Sequence, residues 1–318
     1  MMKEAKPFLN YEQQISKLRD EKGLTIIDEE FAVNVLKRTS YFSLIIWYKH
    51  NFKNKTTGKY LDGVNFNDIY LLYKFDENLR IIFLNYILKI ERHLKSLISY
   101  YYADTYGELQ YKYLDCNNYN YNSKYKEDIE KFIRLLNKII PQISGKPSEY
   151  EYINYHDNKY SNVPLWVLIN VLTFGNISKM YSFTKQSLQR KICSEFPEID
   201  ESKLGDLLNV LSKFRNVCAH NERLFNYKTQ KSLPDLKIHK KLNINKNNSF
   251  YVCGKRDLFG VVISLKYLLP SETFKEFFYL VKKEIDIYSK NMKALTEQDV
   301  LKEMGFPNNW TNILRIKV

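Results

Sequence analysis

Apolar residues recur at three- and four-residue spacing through most of this chain, and that period predicts helices over 29–50, 66–104, 124–140, 164–184, 186–195, 200–225, 256–269 and 271–290. Pro141, Pro164, Pro197 and Pro270 fall at the edges of these segments, where proline starts or stops a helix. The stretches 105–123 and 228–250 are polar and rich in Asn, and read as loops. A short hairpin around 236–253 fits the weak alternation of LKIHKKLNINKNNSFYV. There is no fixed-period repeat and no Pro- or Gly-rich linker, so the pattern points to a single all-α body over 1–318 with at most one small β-hairpin.

Composition sharpens this picture. The chain has 318 residues, 44% of them hydrophobic and 15% aromatic, with only 10 Gly and 8 Pro, well under the roughly 12% that these two contribute on average. That is enough to bury a large core. The net charge of +13 comes from 49 Lys plus Arg against 36 Asp plus Glu. A basic surface of that size attracts polyanions such as nucleic acid or an anionic membrane. The excess of Lys, Asn, Ile and Tyr, with only ten Arg, fits the codon drift of an AT-rich genome equally well. Cys116, Cys193, Cys218 and Cys253 show no C-x-x-C spacing, which argues against a structural zinc site or a disulfide framework and fits a reducing cytoplasm. The N-terminus lacks an apolar leader, and the longest apolar run, 164–175, is too short to span a bilayer, so neither export nor membrane insertion is expected. No metal ligation and no cofactor is expected either.

The most informative segment is DESKLGDLLNVLSKFRNVCAHNERLFNY (200–227), which opens on the cap candidates Asp200 and Ser202 and reads as one uninterrupted helix. At about 100° per residue, Leu204, Leu207, Leu211, Phe214, Val217 and Cys218 share one side, while Arg215, Asn216, His220 and Arg223 fall within an arc of about 140° on the other. Asn216 and His220 are four apart and can touch, and Arg215 can reach the same spot. A phosphate fits such a group. The chemistry it suits is RNA cleavage by an internal 2′-hydroxyl: an imidazole moves a proton near neutral pH, and a guanidinium neutralises the pentacoordinate phosphate while staying charged. A lone His beside Arg residues on a solvated helix face is the alternative.

RNVCAHNERLFN (215–226) resembles the Arg-x4–6-His signature of HEPN-superfamily ribonucleases in its R-N-x-x-x-H form, and the longer string is similar to Abi-like abortive-infection proteins of the AbiD and AbiF type. GVNFNDIYLLYKFDENLR (63–80), IERHLKS (90–96), PLWVLINVLTFGNISKMY (164–181) and MGFPNNW (304–310) agree with that family in order and spacing, so that the resemblance covers roughly 30–318. It implies a HEPN-type helical bundle elaborated by flanking helices: an N-terminal helical extension (1–62), a HEPN core with an insertion (63–227), and a loop with C-terminal helices (228–318). It further implies a metal-independent endoribonuclease leaving a 2′,3′-cyclic phosphate, with Arg215 and His220 as the catalytic pair and Asn216 orienting the site. The activity implied is that of an anti-phage toxin restrained by a small noncoding RNA, resembling presumed relatives of type VI CRISPR effectors. One Arg/His pair per chain implies a homodimer or higher assembly. A catalytically silent HEPN protein that binds RNA or acts as a scaffold is the rival reading, and a sensor of a phage component is a third.

Several other residues carry two readings each. Glu91 either braces Arg215 or polarises His220, or it forms an ordinary i,i+4 pair with Lys95. Arg80, Arg92 and Lys95 are candidates to hold RNA phosphates, with an ion pair to Asp76 as the alternative for Arg80. Arg223 either contacts RNA beside His220 or pairs with a Glu of a neighbouring helix. His50, His93, His156 and His239 lack metal-like spacing and read as surface or packing residues. Trp166, Phe174 and Trp310 read as core, and the Tyr clusters at 100–102 and 111–121 as either base-stacking platforms or ordinary loop residues.

Overall fold

The computed structural model describes residues 6–122, 124–144 and 150–317. Its helices are α1 (Tyr11–Ser16), α2 (Glu29–Thr39), α3 (Phe66–Tyr106), α4 (Gln110–Leu114), α5 (Lys126–Ser144), α6 (Glu151–Tyr160) and α7 (Leu165–Leu168). There follow α8 (Phe174–Phe183), α9 (Gln186–Cys193), α10 (Glu201–Ala219), α11 (Lys237–Lys241), α12 (Leu258–Leu268), α13 (Ser271–Asn291) and α14 (Glu297–Glu303). The strands β1 (Lys246–Asn247) and β2 (Phe250–Tyr251) form one antiparallel hairpin.

The axis of the molecule is α3. Asn65 and Asp68 cap it reciprocally, each side chain taking the other's backbone N–H. Its 41 residues make a rod about 60 Å long at 1.5 Å per residue. Ile69, Leu72, Leu79, Phe83, Ile87, Leu94 and Ile98 are buried along it, and α7, α8, α9, α10 and α13 pack against it. Each such side chain contributes about 1.5–3 kcal/mol by leaving water, which makes α3 the element that these five helices share.

The departures from the apolar pattern have local causes. The segment 29–50 is not one helix: Ser40, at φ 64°, stops α2, and a wide π-type turn (Phe42–Ile46) and a 3-10 turn (Lys49–Phe52) follow. The segment 164–184 breaks at Leu172, which is extended, because Thr173 caps α8 by accepting the Asn176 N–H. Pro141 does not end α5, which runs on to Ser144 so that the proline falls in the last turn, where fewer backbone bonds depend on it. The expected hairpin shrinks to 246–251, since α11 takes 237–241. The expected loop 105–123 carries α4 and buries Tyr113 and Tyr119, whose hydroxyls donate to the carbonyls of Val163 (2.7 Å) and Tyr113 (2.7 Å). With Tyr102 also buried, three of the seven tyrosines in these clusters are core. Helices α6 and α14 and a 3-10 turn at Trp310–Arg315 lie where the apolar period predicted none. Among the described residues no helix is long and apolar enough to cross a membrane.

Helix α10 ends earlier than its sequence suggests. Asn221 adopts φ 54°, the Glu222 N–H reaches back to the Val217 carbonyl (3.0 Å) and the Asn221 N–H to that of Cys218 (3.3 Å). This is a Schellman closure with asparagine in the left-handed position that glycine usually takes. His220 is therefore the last residue before the chain turns, and the turn that follows is held from below. The Asp76 carboxylate, wholly buried on α3, accepts the N–H of Leu224 (3.0 Å) and of Phe225 (2.7 Å), the Tyr48 hydroxyl (2.6 Å) and the Arg80 guanidinium (2.7 Å). Arg80 also donates to the Glu222 carbonyl (3.3 Å), and the Tyr48 ring stacks on Phe225. Burial pushes the Asp76 carboxyl upward, and Arg80, Tyr48 and the two amides pull against that rise.

The C-terminal block docks by a close approach of backbone to side chain. Asp257, buried, caps α12 by accepting the N–H of Gly260 (3.1 Å) and also takes that of Gly254 (3.0 Å). Gly305, at φ 78°, lies so near that an added Cβ would fall 2.1 Å from the Asp257 Cγ. Phe306 and Trp310 complete the seal against Phe259 and Phe278.

Three outcomes follow for stability, each read by urea unfolding. Asp76→Ala leaves Arg80 buried without its counter-charge and two amides without acceptors, and should cost about 3–5 kcal/mol. Gly305→Ala combines an unfavourable backbone with a clash and should cost about 2–4 kcal/mol. Burial pushes the Asp257 carboxyl up to about 6 from 3.8. The fold therefore favours the protonated form, and the contribution of Asp257 to stability is fully present below its unfolded value and lost as the pH rises through 6. Asp257→Asn should remove that loss and raise stability at neutral pH relative to acid pH.

Candidate active site

The R-x4-H motif occupies the last turn and a half of α10, with Arg215 facing α3. Its Nε donates to Glu91 Oε2 at 3.3 Å, and the Lys95 ammonium sits 3.1 Å from Glu91 Oε1. Glu91 thus contacts Arg215 across the helices and Lys95 one helical turn away, and among the described residues it makes no hydrogen bond to His220. Glu91 is buried and Lys95 largely so, while the Arg215 side chain is 27% exposed. The three groups leave one positive charge in excess, and among the described residues the two Arg215 Nη groups have no hydrogen-bond acceptor. A guanidinium fixed through Nε with its outer edge free suits bidentate contact with phosphate.

Asn216 and His220 lie on the solvent side of the same turn. Both are exposed, and the His220 N–H bonds the Asn216 carbonyl at 2.9 Å, so the turn is still helical between them. Among the described residues neither side chain has a hydrogen-bond partner. Their apolar counterparts Phe214, Val217 and Cys218 face inward, and burial pushes the Cys218 thiol up to about 12, which keeps it inert.

The structure separates Arg80 and Arg223 from this group and leaves Arg92 and Lys95 beside it. Arg80 is only 3% exposed and spends its charge on Asp76, so it cannot take an RNA phosphate. Arg223 does not share the arc of His220, because the chain has already turned at Asn221. Its guanidinium donates to the Trp47 carbonyl, and its neighbour is His50, which burial together with Lys49, Arg223 and Lys53 holds below its ordinary value. Arg92 is exposed on α3 one residue beyond Glu91, and His93 next to it stacks edge-on against Phe196. Lys95 bridges to the Asn170 carbonyl (3.3 Å), and Asn170 in turn bonds the Trp166 carbonyl (2.9 Å). Trp166, expected in the core, is 44% exposed beside this bridge, whereas Phe174 and Trp310 are buried as expected. Two residues that hold the site together, Tyr48 and Asp76, carry no signal in the linear sequence beyond an ordinary i,i+4 pair of Asp76 with Arg80. Among the described residues no group of three or more His, Cys, Asp or Glu is arranged to hold a metal ion.

Searches of curated proteins and of solved structures return no match to this chain. A family model described as Abi-like protein matches residues 34–226, which takes in all of α3, the exposed Trp166 and the whole R-x4-H turn. The chain, with its Arg215–Glu91–Lys95 cluster on a helical scaffold, belongs to the Abi-like protein family.

Proposed function

We propose that this protein is a metal-independent endoribonuclease of the HEPN type that acts as a toxin in abortive phage defence and is restrained by a small noncoding RNA. The carrying observation is the geometry of α10: a guanidinium anchored on one edge by a buried carboxylate, and one turn later an exposed imidazole whose ring has no hydrogen-bond partner among the described residues. In this reading the 2′-oxygen of a ribose attacks the adjacent phosphorus. The 2′-hydroxyl proton leaves, the P–O5′ bond breaks and the 5′-oxygen gains a proton, giving a 2′,3′-cyclic phosphate and a 5′-hydroxyl. His220 moves one of these protons, and Arg215 bears the charge that builds on the phosphoryl oxygens. Asn216 bonds the phosphate or the imbalanced side of the imidazole, and Glu91 is a positioning residue that holds Arg215 against α3.

The charge of the surroundings supports a nucleic-acid substrate more specifically than the total of +13 does. Lys95 and Arg215 outnumber Glu91, and Arg92 is exposed beside them. Trp166 offers an aromatic face of the kind on which an unpaired base stacks. Each chain brings one Arg/His pair, so a homodimer, with two motif turns facing one strand, gives the site both a proton acceptor and a proton donor.

Arg215→Ala and His220→Ala should each lower cleavage of single-stranded RNA by about 10²–10⁴-fold and abolish toxicity on expression, with unfolding midpoints near that of the parent because both side chains reach solvent. Cleavage should persist in excess EDTA and leave cyclic-phosphate ends. Parent-level activity in both variants, or activity that EDTA removes and a divalent ion restores, would exclude this mechanism. Salt-sensitive RNA binding without scission would instead assign the chain a binding role.

A further inference from the structure

Near the N-terminus lies a cavity of about 360 Å³ that the R-x4-H site does not use, walled by α1 and the turn after it on one side and by the segment 41–53 on the other. Lys6, Lys17, Lys22, Lys49 and Lys53 line it, and among the described residues no Asp or Glu does. Among the described residues none of these five ammonium groups forms an ion pair. Three of them are close enough to oppose one another: Lys53 is held below its ordinary value by burial and by Lys49 and Lys22. Unneutralised like charges gathered at a concave surface disfavour the empty state and favour an anion.

The rest of the lining narrows the kind of anion. Leu18, Ile45 and Ile46 give the cavity an apolar wall, and Tyr60 closes it with its ring under the Lys53 ammonium, 4.6 Å from the centroid. Tyr60 is only 5% exposed, yet among the described residues its hydroxyl has no hydrogen-bond partner, and the buried Oε1 of Gln14, also in the lining, has none either. Such orphans are few in native folds and call for a partner supplied from outside. A fatty anion would leave both polar atoms unpaired, and inorganic phosphate would leave the apolar wall bare. A phosphorylated group joined to a flat heterocycle with polar edges satisfies all three features, and the volume lies in the range of small-molecule pockets, about 300–1,000 Å³.

We propose that this cavity is a binding site for a nucleoside polyphosphate, the phosphates on Lys22, Lys49 and Lys53 and the base against Leu18, Ile45 and Tyr60. Its location adds a consequence. The segment that lines it with Ile45, Ile46 and Lys49 also supplies the Trp47 carbonyl to Arg223 and the Tyr48 hydroxyl to Asp76, so one short stretch of irregular helix separates the cavity from the turn that follows His220.

Calorimetric titration of the full chain tests the site without reference to nuclease activity, using ATP, pyrophosphate and adenosine as separate probes. ATP should bind in the micromolar range, and pyrophosphate and adenosine each at least about tenfold more weakly. Lys49→Gln combined with Lys53→Gln should weaken ATP by about tenfold or more, and Tyr60→Phe more modestly, while Arg215→Ala leaves it unchanged. Thermal unfolding of the unliganded variants, expected near that of the parent, confirms that they fold. Absence of ATP binding up to about 1 mM, pyrophosphate binding as tight as ATP, or an unaltered affinity in the paired lysine variant would overturn the proposal.

Discussion

One buried carboxylate organises the end of this molecule that carries the candidate site. Asp76 sits wholly out of water on α3 and is surrounded by four donors, two of them backbone amides of the turn at 224–225. An isolated charge in that position would be prohibitive, so its donors must be in place whenever the protein is folded. The tie runs in both directions: the donors stabilise the charge, and the charge dictates where the chain goes after α10. Since Arg80 and Tyr48 share the same oxygen, α3, the 42–52 segment and the 222–225 turn cannot be positioned independently.

The candidate site inherits its geometry from this arrangement. The Schellman closure at Asn221 ends α10 within one residue of His220, and the Asp76 network fixes the direction in which the chain leaves. Arg215 is held separately, by Glu91, which lies about four helical turns, roughly 22 Å, beyond Asp76 on the same long helix. One rigid helix thus places both the arginine and the turn that presents the histidine, which is the kind of support that a phosphate-handling group needs if its donors are to stay fixed while charge builds up. The excess cation left after Glu91 is satisfied points outward, where a polyanion would meet it.

Much of the helical content was legible in the linear sequence, because an amphipathic helix repeats its apolar residues at a period set by backbone geometry alone. The span of α3 was read to within two residues at its end, and α9, α12 and α13 to within about two at either end. The breaks were less legible. Ser40, Leu172 and Asn221 interrupt segments whose apolar period continues through them, and only the capping and left-handed conformations of single residues reveal the stop. For the site, spacing identified Arg215, Asn216 and His220 as neighbours, and the pairing of Glu91 with Lys95 and with Arg215 was among the readings it allowed. It placed Arg223 beside them only because it carried the helix, which ends at Ala219, six residues too far.

What the sequence alone determined is therefore what depends on neighbours along the chain: helix period, cap chemistry, the motif turn and the basic balance that makes a polyanion a sensible partner. The tertiary structure decided what depends on residues far apart in sequence. It turned Arg80 from a candidate phosphate ligand into the buried counter-charge of Asp76, sent Arg223 to the Trp47 carbonyl, brought Trp166 to the surface and gathered five lysines from positions 6 to 53 around one cavity. The reason is physical. Burial of a charge and pairing across 124 to 149 residues are set by packing, and no local period encodes which side chains that packing will bring together.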